Sequence, residues 1–170
     1  EMRRSERRLQ ELNTKLIQAE SFTRGIADHL PVRVAYWDSE ERCRFANRVY
    51  CEWYGKTLDQ VLGKTHVEIF ARELAADRRE FSRLALAGAA QKFESEETGA
   101  SGRRAIWEVQ YIPDVQRGEV RGYFKLAADV TASKSAQADL QMLNLELVAA
   151  RDLAEDAAQA KSAFLANMSH

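Results

Sequence analysis

His170, which closes the chain at the end of the string KSAFLANMSH (161–170), is the residue best equipped for covalent chemistry. An imidazole keeps a substantial neutral, nucleophilic fraction near neutral pH. The two thiols, Cys43 and Cys51, stand eight positions apart with neither CxxC spacing nor a histidine pattern around them. That spacing argues against a zinc site or a disulfide framework and fits a reducing cytoplasm. No glycine-rich loop offers a phosphate cradle for a nucleotide. A second group of candidates is aromatic: Phe45, Trp107, Tyr111 and Phe124 on strand-like runs, Trp53 and Tyr54 on a helical one. These six rings can pack an ordinary core, or wall an apolar pocket for a small organic molecule with Arg33 or Lys125 holding a carboxylate.

Three segments must position these residues. The chain has 170 residues, 45% of them hydrophobic and 30% charged, with a formal net charge of -1. One domain with extensions suits that length, and the composition is not that of a disordered chain. A nearly neutral balance gives no electrostatic case for nucleic acid. No apolar run approaches the roughly 18 residues of a membrane span. The opening EMRRSERR is dense in arginine, which reads as a solvated helix face or as the cytoplasmic flank of a membrane helix preceding this fragment. On the second reading the parent protein is anchored in the inner membrane.

The two ends read as long helices. In residues 1–30, Met2, Leu9, Leu16, Thr23 and Leu30 share one heptad position and Ser5, Leu12, Ala19 and Ile26 the other, a series interrupted by the polar Ser5 and Thr23, and Pro31 ends the segment. In residues 132–170, Leu140, Leu147, Ala154, Lys161 and Met168 take one position; Leu143, Ala150, Ala157 and Phe164 take the other. A stripe this narrow predicts a coiled coil, and hence a homodimer. An amphipathic helix packed on its own domain is the alternative.

The middle, residues 31–131, changes period. VRVAYWD (32–38) and RCRFA (42–46) alternate as strands, the second with Cys43 and Phe45 inward and Arg42 and Arg44 outward. Asn47 is a good N-cap for the helix that follows, and Gly55 a natural stop. Thr57 with Gln60 and Thr65 with Glu68 form two capping boxes. His66, beside the second, is expected at the surface. A long amphipathic helix spans 71–88, with Leu74, Phe81, Leu84 and Ala85 near one face. Strands follow at 91–97, 104–112 and 120–129, the last two linked by 113–118 and the last with Phe124 and Leu126 inward. Two strands, several helices and three strands predict an α+β domain: an antiparallel sheet covered by helices on one face.

This order resembles the PAS domain family, and local strings support the resemblance. RCRFANRVYCEWYG (42–55) is similar to the passage from the second PAS strand into the first helix, and YIPD (111–114) to the end of the fourth strand in one subgroup. LAADVTASK (126–134) resembles the closing DxT motif, here Asp129 and Thr131. The resemblance implies a five-stranded antiparallel PAS sheet, flanked here by coiled-coil helices. It also implies that Asp129 and Thr131 relay movement of the sheet into the outgoing helix, which Thr131 would cap. Family members hold haem, flavin, organic acids, lipids or nothing. Flavin photochemistry needs an NCRFLQ-like helix that is missing, and haem relatives use a histidine on the long helix, where 71–88 has none. Both are disfavoured, and a small organic molecule remains.

KSAFLANMSH resembles the start of the phospho-acceptor motif of histidine kinases, departing at Ala163, where glutamate is common. The resemblance implies that His170 accepts the γ-phosphoryl group of ATP. That ATP would be held by a kinase domain not contained in this fragment, with a response regulator downstream. The fragment alone is then inactive. On this reading the chain is the sensory and dimerisation module of a two-component sensor kinase. The alternatives are a linker serving another output, such as a diguanylate cyclase, and a ligand-free structural relay.

Overall fold

The computed structural model describes residues 2–70 and 72–170. Ala71, where the long helix was expected to begin, and Glu1 lie outside the described residues. The chain divides into two units, one ending at Asp129 and the other running from Val130 to His170.

In the first unit, α1 (Met2–His29) leads into β1 (Val32–Asp38) and β2 (Cys43–Ala46). Four helices follow: α2 (Arg48–Tyr54), α3 (Leu58–Val61), α4 (His66–Ile69) and α5 (Arg72–Leu86). Then come β3 (Gln91–Thr98), β4 (Arg104–Gln116) and β5 (Glu119–Asp129). The strands form one antiparallel sheet in the order β2-β1-β5-β4-β3, with the helices against one face. The α+β class and the five-stranded sheet are as the sequence predicts.

Local signals place the helices. The Asn47 side chain accepts from Tyr50 N as N-cap of α2, and Gly55 ends that helix at φ 61°, a conformation that glycine adopts without strain. Both capping boxes form, Thr57 with Gln60 and Thr65 with Glu68. Asn47 does more than cap. Its Nδ2 donates to Ala27 O at 2.7 Å and Val32 O at 2.8 Å, while its Oδ1 also accepts from Val34 N at 3.0 Å. One buried amide thus ties the last turn of α1, strand β1 and helix α2 together.

Two expectations about the strands are corrected. The 113–118 link is mostly strand: β4 continues through Pro113, and only Arg117 and Gly118 turn, both at positive φ (52° and 80°). Paired positive φ values suit the twist of a two-residue hairpin. Proline is tolerated because β3 ends opposite Tyr111, which makes β4 an edge beyond that point. The second correction concerns facing. Trp37 pairs with Cys43 but Tyr36 pairs with Phe45, so Arg44 is an extra residue in β2. This bulge breaks the alternation. Cys43 faces the core, and Phe45 faces away with Tyr36.

The second unit is α6 (Thr131–Met168), 38 residues with none buried. Val130, whose side chain makes no capping bond, occupies its N-cap position and Thr131 is the first helical residue. The helix therefore starts one residue earlier than a Thr131 cap requires. Leu140, Leu143 and Leu147 are exposed along α6, as Leu9, Leu12 and Leu16 are along α1. Among the described residues no helix is long and apolar enough to cross a membrane.

Candidate functional site

The sheet face under the helices is lined in alternation by Arg33, Ala35 and Trp37 of β1, Trp107, Val109 and Tyr111 of β4, and Tyr123, Lys125 and Ala127 of β5. Phe124 is on the other face, 42% exposed, where it packs on Tyr36 at a centroid distance of 4.9 Å. The inward positions expected for Phe124 and Leu126 are both wrong by one residue, and that step turns Lys125 into the core. Of the six aromatic candidates, the structure brings Trp53, Tyr54, Trp107 and Tyr111 to the core side and leaves Phe45 and Phe124 outside it.

The four inward rings surround an ionic cluster. Arg33 donates two bonds to Glu97, Nη1 to Oε2 at 2.8 Å and Nη2 to Oε1 at 3.3 Å. Arg78 pairs with the Oε1 atom of the same carboxylate and donates to Ser95 Oγ at 2.8 Å. Trp53 Nε1 donates to Glu97 Oε2 at 3.2 Å, and the Tyr54 hydroxyl donates there at 3.3 Å while accepting from Arg33 at 2.8 Å. The Arg33 guanidinium lies 3.8 Å from the ring centroid of Trp107. Burial alone would raise the Glu97 pKa; the hydrogen bond and charge of Arg33 and the charge of Arg78 outweigh it and bring the pKa down to about 2.

Lys125 is fully buried among rings, with Nζ 4.8 Å from the centroid of Phe70 and 5.9 Å from those of Tyr54 and Tyr111. Burial, reinforced by the charges of Arg78 and Arg33, pushes its pKa well below the ordinary lysine value. His66 also corrects its expected position. Rather than lying at the surface, it is buried, stacked on Trp37 at 3.6 Å, with Nε2 2.7 Å from the Tyr123 hydroxyl. Burial and the charges of Lys125 and Arg78 hold it neutral, well below the ordinary histidine pKa.

Beside the cluster a cleft of about 510 Å³ opens between the helices and β3, walled by Tyr54, Ile69, Phe70, Leu74 and Glu97. Glu97 and Arg78 were not among the sequence candidates, although a signal for each exists. Glu97 shares strand parity with Phe93 and Ser95, and Arg78 lies at helical spacing between Leu74, Phe81 and Ala85. Asp129, the last residue of β5, pairs with Arg103 at the rim of the sheet. His170 is exposed, one residue past the Ser169 C-cap of α6.

A five-stranded antiparallel sheet in this order, roofed on one side by helices around a polar core, defines an α+β domain of the PAS type. The family model described as PAS fold matches residues 27–135, and the chain belongs to this family. Among curated proteins it is 32% identical over 177 positions to the virulence sensor protein BvgS of Bordetella parapertussis and 30% identical to that of Bordetella pertussis. The alignments cover all of this chain and 13% of each relative, so the chain spans only a small part of those proteins. Among solved structures, the PAS domain of Bordetella pertussis BvgS matches with a TM-score of 0.57 and 27% identity, covering 76% of this chain and 98% of that one. The VqmA dimer of Vibrio cholerae shares the fold, with a TM-score of 0.59 at 20% identity over 69% of this chain and 52% of that one.

Proposed function

We propose that this chain is the sensory and relay module of a two-component sensor histidine kinase. The PAS domain receives a ligand or a conformational signal, α6 carries it, and His170 accepts the phosphoryl group. The observation that carries the reading is α6 itself: Leu140, Leu143, Leu147, Phe164 and Met168 are all exposed on one 38-residue helix. Apolar residues at heptad spacing on an uncovered helix are suited to pairing with a second copy. The helix runs directly into KSAFLANMSH. Pairing puts Phe164 and Met168 in the seam and leaves His170 off it, accessible to an ATP-binding domain. There the imidazole attacks the γ-phosphorus in line as the bond to ADP breaks, and a response regulator then takes the phosphoryl group from the histidine. Asp129 and Thr131 bracket the strand–helix junction through which a shift in the sheet reaches α6.

The test is labelling of the full-length parent protein with ATP carrying a radioactive γ-phosphate. Acid-labile label that disappears in His170→Gln, with dimerisation retained, supports the reading. Full labelling of that variant refutes it.

A further inference from the structure

A second cavity, of about 130 Å³, lies away from the cleft beside Glu97. The β1–β2 turn (Glu40, Glu41), the start of α4 (Thr65, His66) and one face of α5 (Arg79, Ser82) enclose it. His66 is 7% exposed and walls this cavity, and its Nδ1 has no hydrogen-bond partner among the described residues. Its other ring nitrogen is engaged. Nε2 lies 2.7 Å from the Tyr123 hydroxyl, which in turn lies 3.0 Å from Ser82 Oγ. A buried polar atom left unpaired destabilises a fold, and a ligand that pairs it recovers the loss.

The walls define what such a ligand carries. Glu41 is half-buried and enters no ion pair among the described residues, while the exposed Glu40 meets Arg42 only at 3.9 Å. Glu41 also stands at φ 57°, a left-handed backbone that glycine or asparagine adopts at less cost. Strain of this kind gathers at functional sites. Arg79 is exposed, and the Thr65 hydroxyl is occupied by Glu68 at 3.0 Å. Two carboxylates against one guanidinium leave the walls acidic, a balance that one positive charge neutralises. Neutral His66 keeps one lone pair for a donor. The space is that of about four water molecules at roughly 30 Å³ each, so the occupant has few atoms.

We propose that this cavity binds a small primary ammonium ion, its N–H groups donating to His66 Nδ1 and to the Glu41 carboxylate. Hydrogen bonds between an ammonium and a carboxylate are among the strong ones. With Nδ1 accepting, the ring proton of His66 sits on Nε2 and is donated to Tyr123 Oη, whose own proton goes to Ser82 Oγ. Binding thereby fixes one direction in a chain of hydrogen bonds that otherwise runs either way. Tyr123 belongs to β5, the strand that ends at Asp129, so occupancy is registered on the strand that feeds the relay. The site rests on the sensory reading above and gives it a chemical class of stimulus.

The experiment is NMR of the purified chain with isotope-labelled histidine nitrogens. Methylammonium chloride is titrated against tetramethylammonium chloride and potassium chloride at equal ionic strength. Methylammonium is expected to shift the His66 ring nitrogens saturably and to leave the ring proton on Nε2. Tetramethylammonium, which has no N–H, and potassium are expected to do neither. Glu41→Gln keeps the size of the side chain and is expected to weaken methylammonium binding by at least about tenfold. His66 signals that methylammonium does not perturb, equal shifts with either control cation, a bound state protonated on Nδ1, or undiminished binding by Glu41→Gln would each overturn the proposal. The first three outcomes need only the wild-type chain. An empty cavity in a working relay fails here while His170 labelling still succeeds, and an amine site without that relay does the reverse.

Discussion

Arg33 and Glu97, 64 positions apart in the chain, meet in the core at 2.8 Å with both side chains almost fully excluded from water. The pair bridges β1 near one side of the sheet to β3 at its far edge, with Trp53 and Trp107 packed around it. An ion pair so deeply buried adds little net stability, yet removing one partner is severe. Glu97→Gln leaves Arg33 and Arg78 without a counter-charge, and the loss is expected to be about 3–5 kcal/mol. Urea denaturation of the variant against wild type checks this.

The same carboxylate makes stability depend on pH. The folded pKa of Glu97 is depressed to about 2 from 4.5, so the unfolded chain takes up the proton first. Its contribution is complete above pH 4.5 and is lost as pH falls towards 2. His66 adds to the trend from a higher pH. Its folded pKa lies well below 6.5, so protonation of the unfolded chain starts to erode stability below about that value. Urea midpoints measured from pH 8 to 3 should fall in two stages, and Glu97→Gln should lack the lower one.

Asn47→Ala is expected to be more damaging than loss of an ordinary cap, which costs about 1 kcal/mol. It also strips the carbonyls of Ala27 and Val32 and the amide of Val34 of their side-chain partner. With orphaned buried groups costing about 1–3 kcal/mol each when unrelieved, a total near 3 kcal/mol is expected. Hydrogen exchange adds a specific readout: the last turn of α1 should lose protection together with the start of α2.

Leu147→Asp places a charge in the seam assigned to α6 and should weaken self-association by at least tenfold, about 1.4 kcal/mol, without altering the sheet. Sedimentation equilibrium of the purified chain reads the mass, and near-UV circular dichroism reads the core. An unchanged dimer would remove α6 from the interface.

What could be read from the sequence was local. The Asn47 cap, the stop at Gly55 and both capping boxes depend on residues within a few positions of one another, and each forms. The facing of Phe45 was hidden because a single extra residue, Arg44, reverses the alternation, and a bulge has no fixed residue signature. Phe124 defies the parity expected of an apolar strand residue, which ordinarily points inside. That expectation fails where the core is itself charged. The Arg33–Glu97–Arg78 cluster depends on pairings across the whole sheet, which no local window contains. His66 stacks on Trp37, a residue from a different element, for the same reason.

The bulge at Arg44 also bears on how copies of this domain tolerate one another at close quarters. A sheet of five strands has two open borders, and an open border invites another chain to add a strand. Here one border is closed by the domain itself: Cys43 N donates to Lys64 O, Gly63 N donates to Cys43 O, and Arg42 bridges to Thr65. The kink and the arginine disturb what is left of β2. On the opposite border, β3 turns Lys92, Glu94 and Glu96 outward, alternate charged groups that resist a neutral intruding strand. Two such domains held side by side are thereby protected from merging into a continuous sheet.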